Sequence, residues 1–320
     1  MTIAVYGGTG FIGSAVVRRL LARGHKPLVL ARGQHPANPP AGATFVAADR
    51  EDGRRLVEIF QQHGVDTVID IFALGLTNSA PMLEAMGAIG GRYVLLSSVD
   101  VYANYGGLLK RETPPVQVAP AREDDALRNF RYPYRQNERR PQGVGNDMLE
   151  DYDKQLIEEA TAGDGRFATT VIRAPMVFGP GDKQHRFGWA IKAVQQGGVV
   201  ELDQRAARWP NSYGYVEDVG EAIALAATAS QAAGRTYNVG QDFVRTPIEW
   251  LLSFAVVLNR PIEVLEVPPE TRGLLAERAD AMDLHYPLTL DTSRIRKELG
   301  FAEIVPEREA LLATIAAERE

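Results

Sequence analysis

The sequence contains no cysteine, which excludes disulfides, thiolate nucleophiles and cysteine-built metal centres together. Its histidines are few and scattered, at His25, His35, His63, His185 and His285, with no pair at ligand spacing. No metal site is therefore expected. No apolar run reaches the length that crosses a bilayer, and the chain starts in a strand-like segment rather than a charged and then apolar leader, so a soluble, cytoplasmic protein without a membrane partner is expected. Basic residues are not in excess: the net charge of −6 argues against a surface that coats nucleic acid. What remains is a chain of 320 residues with 45% apolar side chains, enough for an extended core in one large α/β unit or two average domains.

The most informative segment is Ile3-Ala4-Val5-Tyr6-Gly7-Gly8-Thr9-Gly10-Phe11-Ile12-Gly13-Ser14. It reads as a buried strand, a glycine-rich turn and the start of a helix running to about Arg23, continued by Ala15, Val16, Leu20 and Leu21 at helical spacing. Gly7 permits the bend, Gly10 lets backbone amides approach a pyrophosphate, and Gly13 lets helix and strand pack closely. The helix N-terminus offers its dipole and free N–H groups to phosphates. Glycine triplets occur in many α/β loops; the strand before and the helix after make this one a dinucleotide site, with Thr9, Phe11 and Ile12 completing the turn.

Further strands are predicted at Pro27 to Ala31, Thr44 to Ala47, Thr67 to Ile71, Tyr93 to Ser97 and Ala168 to Arg173. Helices are predicted near Gly53 to His63, Ser79 to Gly87 and Asn146 to Ala162. This alternation predicts a parallel, doubly wound sheet. The stretch Ala103 to Gly145 has no clear period but carries six arginines between Arg122 and Arg140, interleaved with Tyr132 and Tyr134, and reads as a substrate lid or a solvated loop. Pro175 to Asp182 reads as a turn cluster before a helix near Phe187 to Gln196. Ser212 to Val219 and Arg235 to Gly240 are segments able to rejoin the sheet, and a strand is predicted near Ile262 to Val267. The expected division is a nucleotide-binding part, 1–173 with about 213–240, interleaved with a smaller C-terminal substrate-binding part, 174–212 and 241–320.

Several motifs together carry a resemblance: Gly7/Gly10/Gly13, Asp49 after the third strand, Ser97-Ser98-Val99-Asp100-Val101-Tyr102 after the fifth, and the Lys154-Gln155-Leu156-Ile157-Glu158 helix. Arg173-Ala174-Pro175 through Asp182, Tyr215 to Val219 and Tyr237 to Gly240 extend it over nearly the whole chain. The sequence resembles an extended short-chain dehydrogenase/reductase of the NAD(P)-dependent epimerase/dehydratase family, which implies a Rossmann fold. The resemblance assigns the hydroxyl of the hydride-transfer site to Ser98 and the nicotinamide-ribose lysine to Lys154. It brings Asp49 to the adenine amino group, Ala73 to the cofactor path, Pro175 to the nicotinamide and Tyr102 to the border of the substrate. It also implies a homodimer through helices near Asn78 to Met86 and Met148 to Ala162.

The departure from the family is at position 150, where Glu150 stands four residues before Lys154 in place of the usual tyrosine. A carboxylate beside a lysine is ionised at neutral pH and is a poor proton donor. Glu150 is therefore open to two readings, catalytic, or the i partner of an i,i+4 helix pair with Lys154. Tyr152, about 200° away on a regular helix, should point elsewhere. Tyr102 and then bound water are the next proton carriers considered; Asp100, close to Ser98, is the other acid/base candidate or, on the favoured reading, an exposed residue, and Tyr105, Tyr132 and Tyr134 read as packing or loop anchors.

The second strand ends Leu30-Ala31-Arg32-Gly33, with no carboxylate for a ribose 2′-hydroxyl. Arg32 suits a 2′-phosphate, which favours NADP, with NAD second. The expected function is an NADP-dependent oxidoreductase, epimerase or dehydratase acting on a polar, nucleotide-sugar-like small molecule. Arg173, Arg208 and Tyr213 are the expected substrate residues, with Lys183 and Arg186 as further phosphate contacts. The alternative is a dinucleotide-bound regulatory or RNA-binding protein without hydride transfer, as among chloroplast stem-loop RNA-binding relatives that the Asp151-Tyr152-Asp153-Lys154 stretch resembles.

Overall fold

The computed structural model describes residues 1–33, 39–135 and 149–318. Each early strand is short and bounded by turn residues, and β1 (Ile3–Tyr6), β2 (Leu28–Ala31), β3 (Thr44–Ala47), β4 (Thr67–Asp70), β5 (Arg92–Ser98), β6 (Ala168–Ala174) and β10 (Thr236–Asn238) form one seven-stranded sheet. Every pairing in it is parallel, in the order β10-β6-β5-β4-β1-β2-β3. β1 and β4 are wholly buried, as a parallel sheet covered on both faces requires. One face packs the helices Phe11–Ala22 and Val216–Thr228 through Val16, Leu20, Val219 and Ile223. The other packs Gly53–His63, Leu76–Ile89 and Lys154–Ala162 through Phe60, Met82 and Ile157. This is the Rossmann-type α/β arrangement expected from the sequence.

The second half departs from expectation in its pairing. Met176–Phe178, inside the predicted turn cluster, is a strand, β7, and pairs with β9 (Tyr213–Tyr215) in a separate two-stranded sheet. Only the Thr236–Asn238 segment rejoins the main sheet. β11 (Ile262–Val267) pairs with β8 (Gly198–Asp203), a strand not predicted from the sequence. A third apolar cluster of Val101, Tyr102, Tyr105, Leu108, Trp209, Tyr286 and Leu288 joins the segment after β5 to the C-terminal region. The cleft above the carboxyl ends of the strands thus lies between the sheet and the C-terminal part.

Candidate active site

The residues at the carboxyl ends of adjacent strands form a continuous track: Arg32 after β2, Gly7 after β1, Ala73 after β4, Ser98 at the end of β5 and Pro175 after β6. A dinucleotide fits the turn at its centre. Gly7 takes φ +82, and Gly10, the N-cap of the first helix, supplies no side chain to occupy the first-turn amides, the kind of helix N-terminus that suits an anion. A Cβ on Gly13 would stand 2.1 Å from the Gly7 carbonyl oxygen, so the close helix–turn packing exists only with glycine there. Arg32 and Asp49 are both exposed at the edge of this track, and Asp49 accepts a hydrogen bond from the Glu51 amide at 3.1 Å.

At the other end of the track, the helix that carries Lys154 begins at Lys154 itself. Asp153 is its N-cap, in extended conformation (φ −161, ψ 101), and accepts from the Gln155 amide. Residues 151–153 are pinned to the segment after β4: Tyr152 bridges Gly75, the Asp153 amide donates to Leu74 O at 3.0 Å, and the Thr77 amide donates to Asp151 Oδ2. The expected continuous helix from Asn146 is therefore interrupted, and residues 146–148 lie outside those described. Glu150 and Lys154 are not one helical turn apart, which corrects the i,i+4 reading. Glu150 is half-buried, its carbonyl accepting from Arg135 Nε at 3.0 Å, and it is not among the residues that line the cavity.

Breaking the helix turns Tyr152 inward, against expectation. Its ring is buried, and its hydroxyl donates to Asp100 Oδ2 at 2.6 Å. Asp100 is buried as well, at 3% exposure, which overturns its reading as a surface residue. Burial raises the Asp100 carboxyl above the usual range, with Arg128 the largest opposing influence. Burial also pushes the Tyr152 phenol well above its ordinary value, and the Asp100 charge adds to that. The Asp100 amide donates to Ser98 Oγ at 3.2 Å. Lys154 is buried and donates to Ala73 O at 2.5 Å and Leu96 O at 2.8 Å; burial lowers it to about 8, partly offset by Asp100 and Asp70.

The arginine-rich loop packs onto this site. Arg128 Nε donates to Asp100 O at 2.9 Å, and its Nη2 pairs with Asp153 Oδ1 at 2.6 Å, both side chains fully buried. Arg131 pairs with Glu159, Arg122 with Asp291, and Arg135 lies 3.5 Å over the Tyr132 ring. These arginines tether the loop to the body; Arg139 and Arg140 lie outside the described residues.

Ser98, Asp100, Tyr152 and Pro175 line a cavity of about 980 Å³. Tyr105, Tyr134, Met176, Trp189 and Trp209 form aromatic and apolar walls, and Lys110, Arg111, Arg186 and Arg278 are the basic residues of the lining, Arg186 paired with Asp182 at 2.5 Å. The acidic Asp280 in this lining is engaged by Arg205 and Arg272.

Four expected site residues lie elsewhere. Tyr102 donates to Asn238 Oδ1 at 2.6 Å and accepts from Arg173 at 3.0 Å, and burial pushes its phenol up to about 12. It is fixed by these partners and is not among the residues that line the cavity. Arg173 is buried between Glu158, Tyr102 and Glu123 O, and these partners use the guanidinium expected to meet substrate. Arg208 is 75% exposed and pairs with Glu266 at 2.6 Å; its neighbour Trp209 faces the cavity instead. Tyr213 is buried among Phe178, Phe187 and Trp250, a core position. The signal that would have found Tyr152 is Asp153, an N-cap residue type directly before the Lys154 helix.

A sequence model of the NAD dependent epimerase/dehydratase family matches residues 3–123 and 152–240. The chain belongs to that family. It is 26% identical over 293 residues to 2'-dehydrokanamycin reductase of Streptomyces kanamyceticus, covering 88% of this chain and 73% of that protein. It is 27% identical over 335 residues to dTDP-6-deoxy-L-talose 4-dehydrogenase (NAD(P)(+)) of Kitasatospora kifunensis, covering 97% of this chain and 93% of that one. The solved structure of Thermus thermophilus UDP-glucose 4-epimerase in complex with NAD covers 100% of this chain and 99% of its own, with a TM-score of 0.68 at 22% identity, a likeness of fold. As an NAD dependent epimerase/dehydratase family member of the extended short-chain dehydrogenase/reductase type, the chain is an enzyme of an NAD(P)-dependent family. Among the described residues no helix is long and apolar enough to cross a membrane, and no group of three or more potential ligands could hold a metal.

Proposed function

We propose that this protein is an NADP-dependent oxidoreductase or epimerase acting on a polar, anionic small molecule of the nucleotide-sugar kind. The observation that supports it most is the juxtaposition of the glycine turn, Ser98 and Lys154 along one edge of the sheet with a cavity lined in part by basic residues beside them. The coenzyme would supply or take the hydride. Phe11, Ile12 and Gly13 amides would hold its pyrophosphate, Arg32 its 2′-phosphate, and Asp49 its adenine. Lys154 would meet the nicotinamide ribose, with Ala73 and Pro175 along the path. Ser98 Oγ would hydrogen-bond the reacting oxygen, and Lys110, Arg111, Arg186 and Arg278 the anionic part of the substrate. The relative named as a dTDP-6-deoxy-L-talose 4-dehydrogenase (NAD(P)(+)) supports the nucleotide-sugar reading, and the one named as 2'-dehydrokanamycin reductase supports the oxidoreductase reading alone.

The test is titration of the purified protein with NADPH and NADH by fluorescence, then NADPH oxidation with a panel of nucleotide sugars, aldehydes and ketones. Tighter NADPH binding is expected. Ser98→Ala should lower turnover roughly 10²–10³-fold, as removal of one donor to a developing oxyanion does. Equal affinity or a preference for NADH overturns the NADP assignment, and turnover unaffected by Ser98→Ala overturns the site. A second copy of the chain is the expected partner, through Leu76–Ile89 and Lys154–Ala162, which lie side by side on one face of the sheet; light scattering reads it directly.

A further inference from the structure

We infer that Tyr152 carries the reaction's proton and that Asp100, behind it, is the proton's store, an assignment that rests on the hydride chemistry proposed above. Two groups bonded to each other face one cavity: the Tyr152 hydroxyl donates to Asp100 Oδ2 at 2.6 Å, and both line the space that Ser98 borders. Lys154 Nζ lies 5.9 Å from the Tyr152 ring centroid. Asp100 Oδ1 is buried without a hydrogen-bond partner among the described residues, an acceptor that a ligand or a proton would satisfy. The other tyrosines are engaged differently. Tyr102 is held by Asn238 and Arg173, and the Tyr105 and Tyr134 hydroxyls bond each other at 2.7 Å.

A phenol buried beside a carboxylate does not ionise on its own at neutral pH. A relay removes that need, because one proton leaves the phenol as another arrives. In oxidation of an alcohol, the substrate O–H bond breaks and its proton passes to the Tyr152 oxygen. The Tyr152 O–H bond breaks in turn and its proton goes to Asp100 Oδ2, while a bound oxidised nicotinamide coenzyme would take the hydride from the carbon. In reduction, where a bound nicotinamide coenzyme would supply the hydride to the carbonyl carbon, Asp100 returns its proton through Tyr152 to the oxygen. Asp100 is then recharged by one proton from solvent. The charged and titratable groups facing Asp100 are Tyr152, Tyr105, Tyr134, Arg128 and Lys154, with Ser98 as a neutral neighbour. Arg128 and Lys154 favour its ionised form and burial opposes it, so the carboxyl can hold or release the proton.

The experiment compares Tyr152→Phe, Asp100→Asn and Glu150→Gln in NADPH binding, in turnover of whichever panel compound the wild type reduces, and in infrared difference spectra across an acidic pH titration. NADPH affinity should stay within about twofold in Tyr152→Phe and Asp100→Asn, which shows that both fold. Turnover should fall by roughly 10²-fold or more in each, and no further in the double variant, since the two act as a unit. The protonated-carboxyl band should vanish in Asp100→Asn and shift in Tyr152→Phe, a readout that needs no substrate. Turnover within tenfold of wild type in Tyr152→Phe, loss of turnover in Glu150→Gln in its place, or an Asp100 band unmoved by Tyr152→Phe overturns the relay. A wild-type protein that binds no NADPH overturns the proposed function instead, while the infrared band still reports on the pair.

Discussion

Replacing Gly13 by alanine tests the coenzyme turn most directly. The added Cβ would stand 2.1 Å from Gly7 O, 2.8 Å from Gly7 C and 2.9 Å from the Gly8 Cα, all backbone atoms that cannot rotate away. Restoring ordinary contact requires the turn and the first helix to separate by about 1.4 Å, since a buried carbon contact sits near 3.5 Å. Overpacking of this kind costs about 1–3 kcal/mol, against which the better helix propensity of alanine returns about 1 kcal/mol. The larger effect is on binding. A shift of that size takes the Phe11 and Ile12 amides out of hydrogen-bond range of a pyrophosphate, and bonds to charged groups contribute about 1.5–3 kcal/mol each. NADPH affinity should fall by roughly 100-fold in a fluorescence titration, with a melting temperature lower by a few degrees. Gly163→Ala is the control: it sits at φ −91 with nothing near its added Cβ, and should change neither. A Gly13→Ala protein that binds NADPH within threefold of wild type would refute the steric argument.

Three further outcomes are expected. Arg32→Glu should reverse coenzyme preference in the same titration, because the guanidinium's charge-assisted bonds to a 2′-phosphate are worth about 1.5–3 kcal/mol and a carboxylate there repels it. Asp153→Ala should destabilise the protein by about 3–5 kcal/mol in urea melts, since it strands the fully buried Arg128 charge, with Arg128→Met/Asp153→Ala recovering part of the loss. Lys154 gives a pH signature with a definite sign. Its folded-state value of about 8 lies below the unfolded value of 10.5, so the unfolded chain binds more protons between the two. The stability of wild type relative to Lys154→Met should therefore rise as pH increases from 8 towards 10.5, by an amount on the order of 3 kcal/mol; a flat difference would show that the buried ammonium is not strained.

The fold was legible because its signals are local. Ile3–Tyr6, Thr44–Ala47 and Gly53–His63 are read from apolar runs, turn residues and helical period, and each forms where expected. The glycine turn likewise needs no partner to be recognised, since Gly7, Gly10 and Gly13, running from the end of a strand into the first turn of a helix, define it. The site was legible only in part. Ser98 lines the cavity and Lys154 is buried with its ammonium on Ala73 O and Leu96 O, but helix periodicity extended through Asp151–Asp153 placed Tyr152 on the wrong side.

The sequence by itself determined the layers, the parallel sheet and the position of the glycine turn, all properties of segments of ten to twenty residues. Tertiary structure decided which polar side chains meet. Arg173 is drawn to Glu158, Arg208 to Glu266, and Tyr213 into a cluster of Phe178, Phe187 and Trp250. Asp100 and Tyr152, 52 positions apart, meet because Gly75 and Leu74 hold residues 151–153 extended against the sheet. An interaction between residues that distant depends on where the whole backbone brings them, and no local pattern in either segment encodes it.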